Sequence, residues 1–180
     1  RSLNHGGWIT FRMRAMLVSF ASYNLWIDWR RFGYHLAKLF TDYEPGIHYS
    51  QLQMQSGVTS INAIRIYNPL KQSFDNDPGG NFIRSWVPEL KGVTEPWIHQ
   101  PWKMSGSLQS NFGCIVGKDY PKPIVDHEIT AKLARQRIKA ASQGEDFRAE
   151  SRQVFDKLGS RQRSNWRRPK DDGRQLPLSL

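Results

Sequence analysis

Between Trp8 and Trp26 apolar residues fall on nearly every side of a helix: Ile9, Phe11, Met13, Ala15, Met16, Leu17, Val18, Phe20 and Ala21. A surface helix confines its apolar residues to one stripe, so an all-round pattern predicts a helix buried within a larger helical domain. Two cations interrupt it. Arg12 falls on the polar edge, but Arg14 stands among apolar neighbours, and a guanidinium is almost never fully buried without a partner. Two readings follow. Either Arg14 meets a buried anion (a carboxylate, a phosphate or a cofactor that becomes negative), or one edge of the helix meets solvent and the side chain snorkels out.

Gly6-Gly7 predicts a break before this helix, and Asp28 a cap for a second, amphipathic helix from Trp29 to about Phe40, with Phe32, Leu36 and Leu39 on one face. Residues 41–62 are rich in polar and turn-forming side chains and predict a long loop, and a loop that long in a compact domain usually carries function. Asp42 and Glu44, ahead of Pro45-Gly46, are its acidic residues within reach of Arg14; read alone, each is a solvated charge. Asn68-Pro69 and Asp77-Pro78-Gly79-Gly80 predict stops, a short helix runs to Pro88, and residues 95–125 read as irregular chain. Asp126 opens a long helix to about Ser142, and a further helical stretch spans Glu145 to Leu158. No segment shows the alternation of a strand, so the fold class is all-α. Residues 159–180 are polar and basic and predict a disordered tail.

The net charge of +10 does not by itself mark a nucleic-acid-binding face. Residues 1–130 hold 13 basic and 10 acidic side chains, whereas residues 131–180 hold 13 and 6, so most of the excess belongs to the end of the chain. A single cysteine, Cys114, excludes a disulfide framework, a cysteine zinc site and a protein-held iron–sulfur cluster. The five histidines (5, 35, 48, 99 and 127) lack metal-ligand spacing, and no metal site is expected. With no signal-peptide pattern and no long apolar span, the expected setting is intracellular, cytoplasmic by default, or nuclear or organellar in a eukaryote. The opening "RSLNHGGW" reads as the middle of a longer chain. Residue chemistry alone ends at a helical domain with an arginine in an apolar helix, a functional loop and seven tryptophans.

Five segments then carry a resemblance: "GWITFRMRAMLVSFASYNLWIDWR", "TDYEPGIHYSQLQMQSG", "RIYNP", "FIRSWVPEL" and "YPKPIVDH". In this order and spacing they resemble the photolyase/cryptochrome family over about residues 6–140. The resemblance implies the C-terminal portion of that family's multi-helical FAD-binding domain in residues 1–142, with an appended helix at 143–158 and the basic tail at 159–180. It implies FAD as cofactor, with an antenna chromophore in an N-terminal α/β domain outside this sequence. The implied activity is light-driven electron transfer from reduced FAD to damaged pyrimidines in duplex DNA. The alternative is a cryptochrome-like photoreceptor that binds FAD and signals through partner contacts. A monomer with no membrane association is expected.

Position by position, Arg14 matches the arginine beside the isoalloxazine ring, Asp42 the aspartate that pairs with it, and Glu44 a second acidic position near the ring. His48 stands where a residue faces flavin N5. Phe11 stands where repairing members carry Asn or His near the lesion, and Ala15 where repairers of (6-4) lesions carry a second His. Arg12 and Arg65 match positions facing the DNA backbone. Trp29 matches the middle tryptophan of the chain that photoreduces FAD, although core packing is an equally good reading of a tryptophan on an apolar helix face. Leu52 replaces the tryptophan nearest the flavin, and Met54 one that stacks on the lesion. Both departures place standard dimer repair and the standard tryptophan relay in question.

Overall fold

The computed structural model describes residues 1–59 and 64–158. The basic tail at 159–180 lies outside these residues. Among them there is no strand, only one isolated bridge between Val116 and Tyr120. The chain runs through α1 (Ser2–Gly6), α2 (Phe11–Ser19), α3 (Trp29–Leu39), α4 (Pro45–Gln55), α5 (Pro69–Asn76), α6 (Asn81–Trp86), α7 (Gly106–Asn111), α8 (His127–Ala141) and α9 (Glu145–Leu158).

The break at Gly6-Gly7 has a steric cause. Gly7 ends α1 with φ 66°, in the left-handed region that favours glycine. Its carbonyl accepts a hydrogen bond from Thr41 N–H at 2.9 Å, which fixes the strand of chain carrying Asp42 beside the start of α2. Thr10 then caps α2, accepting from Met13 N–H.

The long apolar segment does not stay α-helical to Trp26. At Phe20–Asn24 it widens into a π-helical turn, a departure that often marks functional positions. Asn24, inside that turn, donates to the carbonyl of His127 and to Thr130 Oγ1, both at 3.0 Å, and so binds α8 against it. Nor is the segment buried all round, since Trp8, Phe11, Leu17 and Trp26 are exposed. Asp28 caps α3 as expected, accepting from Arg30 N–H at 2.9 Å.

Further expectations need correcting: within residues 95–125, read as irregular chain, Ser105 caps the short helix α7 by accepting from Leu108 N–H. Residues 45–55 are not loop but helix α4, because Glu44 is an N-cap and Pro45 the first helical residue. Proline is pre-organised there, since its missing N–H belongs to one of the unpaired first-turn positions anyway. Asn68-Pro69 is likewise a start and not a stop: Asn68 Oδ1 accepts from Lys71 N–H at 3.0 Å and opens α5.

Apolar burial divides into two clusters. The first joins α1 to α4 through Leu3, Ile9, Val18, Leu36, Phe40 and Leu52, with Trp29 and Tyr49 packed on its edge. The second gathers Leu90, Val93, Ile98, Met104 and Cys114 beneath the short turns of residues 88–114. Arg1 forks onto Glu89 at 2.6 and 2.7 Å, tying the start of α1 to that second cluster. Hydrogen bonding to Arg1 drops the Glu89 carboxyl to about 2.

Candidate functional site

The first cluster opens into a cleft between α2, the end of α3 and α4. Its walls include Phe11, Arg14, Leu36, Phe40, Asp42, Tyr43, Glu44, Ile47, His48, Gln51 and Leu52. Two segments, α2 and the stretch from Asp42 into α4, thus place four of the expected residues, Arg14, Asp42, Glu44 and His48, in one concavity, with Phe11 at its mouth, 62 % exposed.

Arg14 is held on three sides. Its Nε donates to the carbonyl of Ile9 at 3.0 Å, and one Nη donates to both oxygens of Asp42 at 2.9 and 3.0 Å. Its guanidinium carbon stands 4.1 Å from the centre of the Phe40 ring, within cation–π range. This combines the two readings of Arg14: it has a carboxylate partner, yet the pair is not buried, with side-chain exposures of 24 % and 49 %. Hydrogen bonding to Arg14 holds the Asp42 carboxyl below its usual ionisation range.

Glu44 spends its side chain locally, accepting from Ile47 N–H at 2.6 Å as the cap of α4. Its task is to start the helix that carries His48, Gln51 and Leu52. His48 Nε2 donates to the Gly33 carbonyl at 2.9 Å. A carbonyl only accepts, so this bond puts a proton on Nε2 and leaves Nδ1 as the ring's acceptor when neutral. Around it the rings of Phe40, Tyr43 and Tyr49 meet the imidazole edge to face at 5.9, 5.3 and 5.1 Å.

Gln51 was not singled out from sequence. It lines the same cleft, and its Oε1 is buried with no hydrogen-bond partner. Such an acceptor costs about 1–3 kcal/mol while it remains unpaired. A ligand N–H or O–H would satisfy it. The cleft thus presents a guanidinium, an amide and aromatic walls to whatever occupies it. The enclosed space is about 90 Å³, well short of the roughly 300–1,000 Å³ of a small-molecule pocket. These residues make one wall and not a whole site.

Other expected positions lie elsewhere. Trp29 packs behind the cleft against the first cluster, with its ring 6.3 Å from that of Tyr49. Met54 is half-buried on α4 and does not line the cleft. Arg12 and Arg65 are both exposed; the segment at Arg65 is pinned to α2 because Ser19 Oγ donates to its carbonyl and accepts from Tyr67 N–H. His99 is structural, accepting from Ser73 Oγ through Nδ1 and donating to the Pro78 carbonyl through Nε2. Among the described residues no group of three His, Cys, Asp or Glu could hold a metal ion. None of the described helices is long and apolar enough to cross a membrane.

An all-helical domain with a half-open, arginine- and aromatic-lined cleft is the class that fold and site define. Residues 1–140 match the family described as the FAD binding domain of DNA photolyase, and the chain belongs to that family. It is 38 % identical over 144 residues to a deoxyribodipyrimidine photo-lyase of Alkalihalophilus pseudofirmus, covering 79 % of this chain and 29 % of that protein. It is 34 % identical over 137 residues to a cryptochrome DASH of Synechocystis, covering 76 % and 28 %. Among solved structures, a bacterial class III photolyase from Agrobacterium tumefaciens superposes with a TM-score of 0.74 at 29 % identity, covering 80 % of this chain and 30 % of that one. The chain thus spans less than a third of the length of these relatives.

Proposed function

We propose that residues 1–142 supply one wall of an FAD site in a blue-light flavoprotein similar to DNA photolyases, with 143–158 an appended helix and 159–180 a basic tail. The observation that carries this reading is the cleft itself, where the Arg14–Asp42 pair and Gln51 line a common space. FAD, when bound, would supply light-driven one-electron chemistry.

The protein's share is placement and charge. Arg14 stabilises negative charge accumulating on a ring beside it, and Asp42 limits how far by neutralising part of the guanidinium. His48, with Nε2 committed to Gly33, presents only Nδ1 to a ligand, and Gln51 accepts from a ligand donor. Phe11, at the mouth, offers an apolar face to whatever enters. In the repair reading that is a damaged pyrimidine flipped out of duplex DNA. Arg12 and Arg65, exposed beside α2, would then take backbone phosphates, and Trp29 would act in electron transfer. An antenna chromophore would bind in a domain outside this sequence, and the protein would work as an intracellular monomer.

A second reading, a cryptochrome-like photoreceptor without repair, draws on one observation. Leu52 and Met54 remove aromatic rings from the two positions that repair and photoreduction would use, and Leu52 is an ordinary core residue, 2 % exposed.

The full-length protein that carries this sequence tests both. Purified, it should show the blue absorption of bound oxidised flavin, and Asp42→Ala should lose that absorption. Colourless wild-type protein that takes up no FAD would sink the site. Light-dependent removal of pyrimidine dimers from duplex DNA separates the first reading from the second.

A further inference from the structure

A second groove opens where the π-helical turn, the start of α3 and the end of α4 meet α8. Its volume is about 420 Å³, within the roughly 300–1,000 Å³ of a small-molecule pocket. Trp26, Trp29, Arg30, Gly57 and Ile138 are among its walls. Trp26 is held at φ 53°, the one described residue other than glycine with a positive φ, and is 46 % exposed. A bulky side chain is an outlier in that region, and such strain collects at binding sites. Tyr23, another lining residue, is buried, and its hydroxyl has no hydrogen-bond partner; a Cβ on Gly57 would come within 2.6 Å of it. The hydroxyl of Ser22, also on the wall, is equally unpartnered.

Positive charge gathers beside exposed rings around this groove. The Arg137 guanidinium stands 4.8 Å from the centre of the Trp26 ring, and that of Arg30 5.9 Å from Trp29. From Arg30 the exposed stripe of α3 continues one turn on to Tyr34, 62 % exposed, and a further turn to Lys38. Lys38 Nζ stands 4.5 Å from the centre of the Tyr34 ring. Residues four apart lie one above another on a helix, so the stripe leads away from the groove for about 12 Å. Asp28 is the one carboxylate on the groove's wall, and Arg30 already occupies it at 2.8 and 3.0 Å. Arg31, Lys38 and Arg137 make no ion pair among the described residues.

We propose that this groove and stripe bind a single strand of nucleic acid, at a site separate from the Arg14 cleft and independent of the flavin reading. One base enters the groove and stacks on Trp26, with the Tyr23 and Ser22 hydroxyls left to pair with its polar edge, and Arg137 takes its phosphate. A neighbouring base stacks on Tyr34, and Arg31 and Lys38 neutralise the phosphates that follow. Aromatic platforms beside a basic track hold single strands in this way, with little sequence preference. A duplex keeps its bases stacked and offers none to the groove.

The test uses the full-length protein and a fluorescein-labelled, undamaged oligothymidylate of about ten nucleotides, followed in the dark by fluorescence anisotropy. Tyr34→Ala should weaken binding about tenfold, the loss of one stacked base. Trp26→Asn should weaken it comparably and still fold, because asparagine tolerates the left-handed backbone. Arg137→Gln should flatten the slope of log affinity against log salt by about 0.7, one phosphate of a single strand. A duplex of the same length should bind Tyr34→Ala as it binds wild type, and thymidine 5′-monophosphate should compete far more weakly than the oligomer. Variants that bind the oligomer like wild type with an unaltered salt slope overturn the site, and the binding then belongs to other basic residues. Equal losses on duplex and single strand, or a monophosphate that competes as well as the oligomer, overturn it too.

Discussion

Gly33 of α3 lies directly against Leu52 of α4: a Cβ placed on Gly33 would come within 2.6 Å of Leu52 Cδ1. The glycine lets the two helices that build the cleft approach this closely, and its carbonyl receives the His48 hydrogen bond. Gly33→Ala would gain about 1 kcal/mol of helix propensity. Overpacking of a buried contact costs about 1–3 kcal/mol, and Leu52 Cδ1, the end of a side chain that lines the cleft, must shift to make room. Net destabilisation of about 1 kcal/mol is expected from the difference between those terms, read from the midpoint of denaturant unfolding. A more stable Gly33→Ala protein would show that the helices separate at little cost.

Glu44 should matter to stability through the backbone of α4 more than through the cleft. Removing an N-cap costs about 0.5–2 kcal/mol, whereas aspartate is itself a preferred cap. Glu44→Ala is therefore expected to lower stability within that range, and Glu44→Asp to leave it nearly unchanged. Chemical denaturation of the two variants side by side checks this. Equal losses in both would mean that the longer carboxylate acts beyond Ile47 N–H.

The same residue shows where sequence reading ran out. Helix α3 was legible because Asp28 precedes an apolar stripe of ordinary period, and α8 because Asp126 does the same. Helix α4 was not, because Pro45-Gly46 has the chemistry of a turn and its apolar residues form no single stripe. They are divided between the first cluster (Leu52, Tyr49) and the cleft (Ile47). In the site, Arg14 stood out as a charge in an apolar helix, and Asp42 and Glu44 as the carboxylates within reach. Gln51 gave no signal: a glutamine in a polar stretch is unremarked until folding buries its oxygen. The exposure of the Arg14–Asp42 pair was hidden for a related reason, since the period of α2 describes a face and not how much chain covers it.

The Arg14–Asp42 pair should respond to acid and to salt. Asp42 ionises below the ordinary carboxylate range because Arg14 hydrogen-bonds to the charged form. A group with a depressed folded value contributes stability that is fully present above its unfolded value and is lost as the pH falls through the folded one. The contribution should therefore be complete near neutral pH and disappear only in acid. An NMR titration of the Asp42 carboxyl checks it, with Arg14→Gln expected to raise the ionisation midpoint. Because the pair is partly solvated, added salt should narrow the difference. A midpoint unmoved by Arg14→Gln would detach the pKa from the ion pair.

Gln51 gives the prediction that separates a ligand site from a packing defect. Its buried Oε1 has no protein hydrogen-bond partner, and an amide acceptor left unsatisfied costs about 1–3 kcal/mol. Leucine has nearly the same volume and no such acceptor, so Gln51→Leu should unfold at an equal or higher denaturant concentration than wild type in the flavin-free protein. If Oε1 is there to receive a flavin or ribityl donor, the same variant should bind FAD more weakly, because the donor is then desolvated against an apolar wall with nothing to accept it. Flavin-free stability and FAD affinity of the full-length protein should thus move in opposite directions. Titration of the flavin-free protein with FAD, followed by flavin fluorescence, measures the second. A variant that is less stable without flavin and binds FAD as tightly as wild type would show that Gln51 supports the fold, and that the cleft's acceptor lies elsewhere.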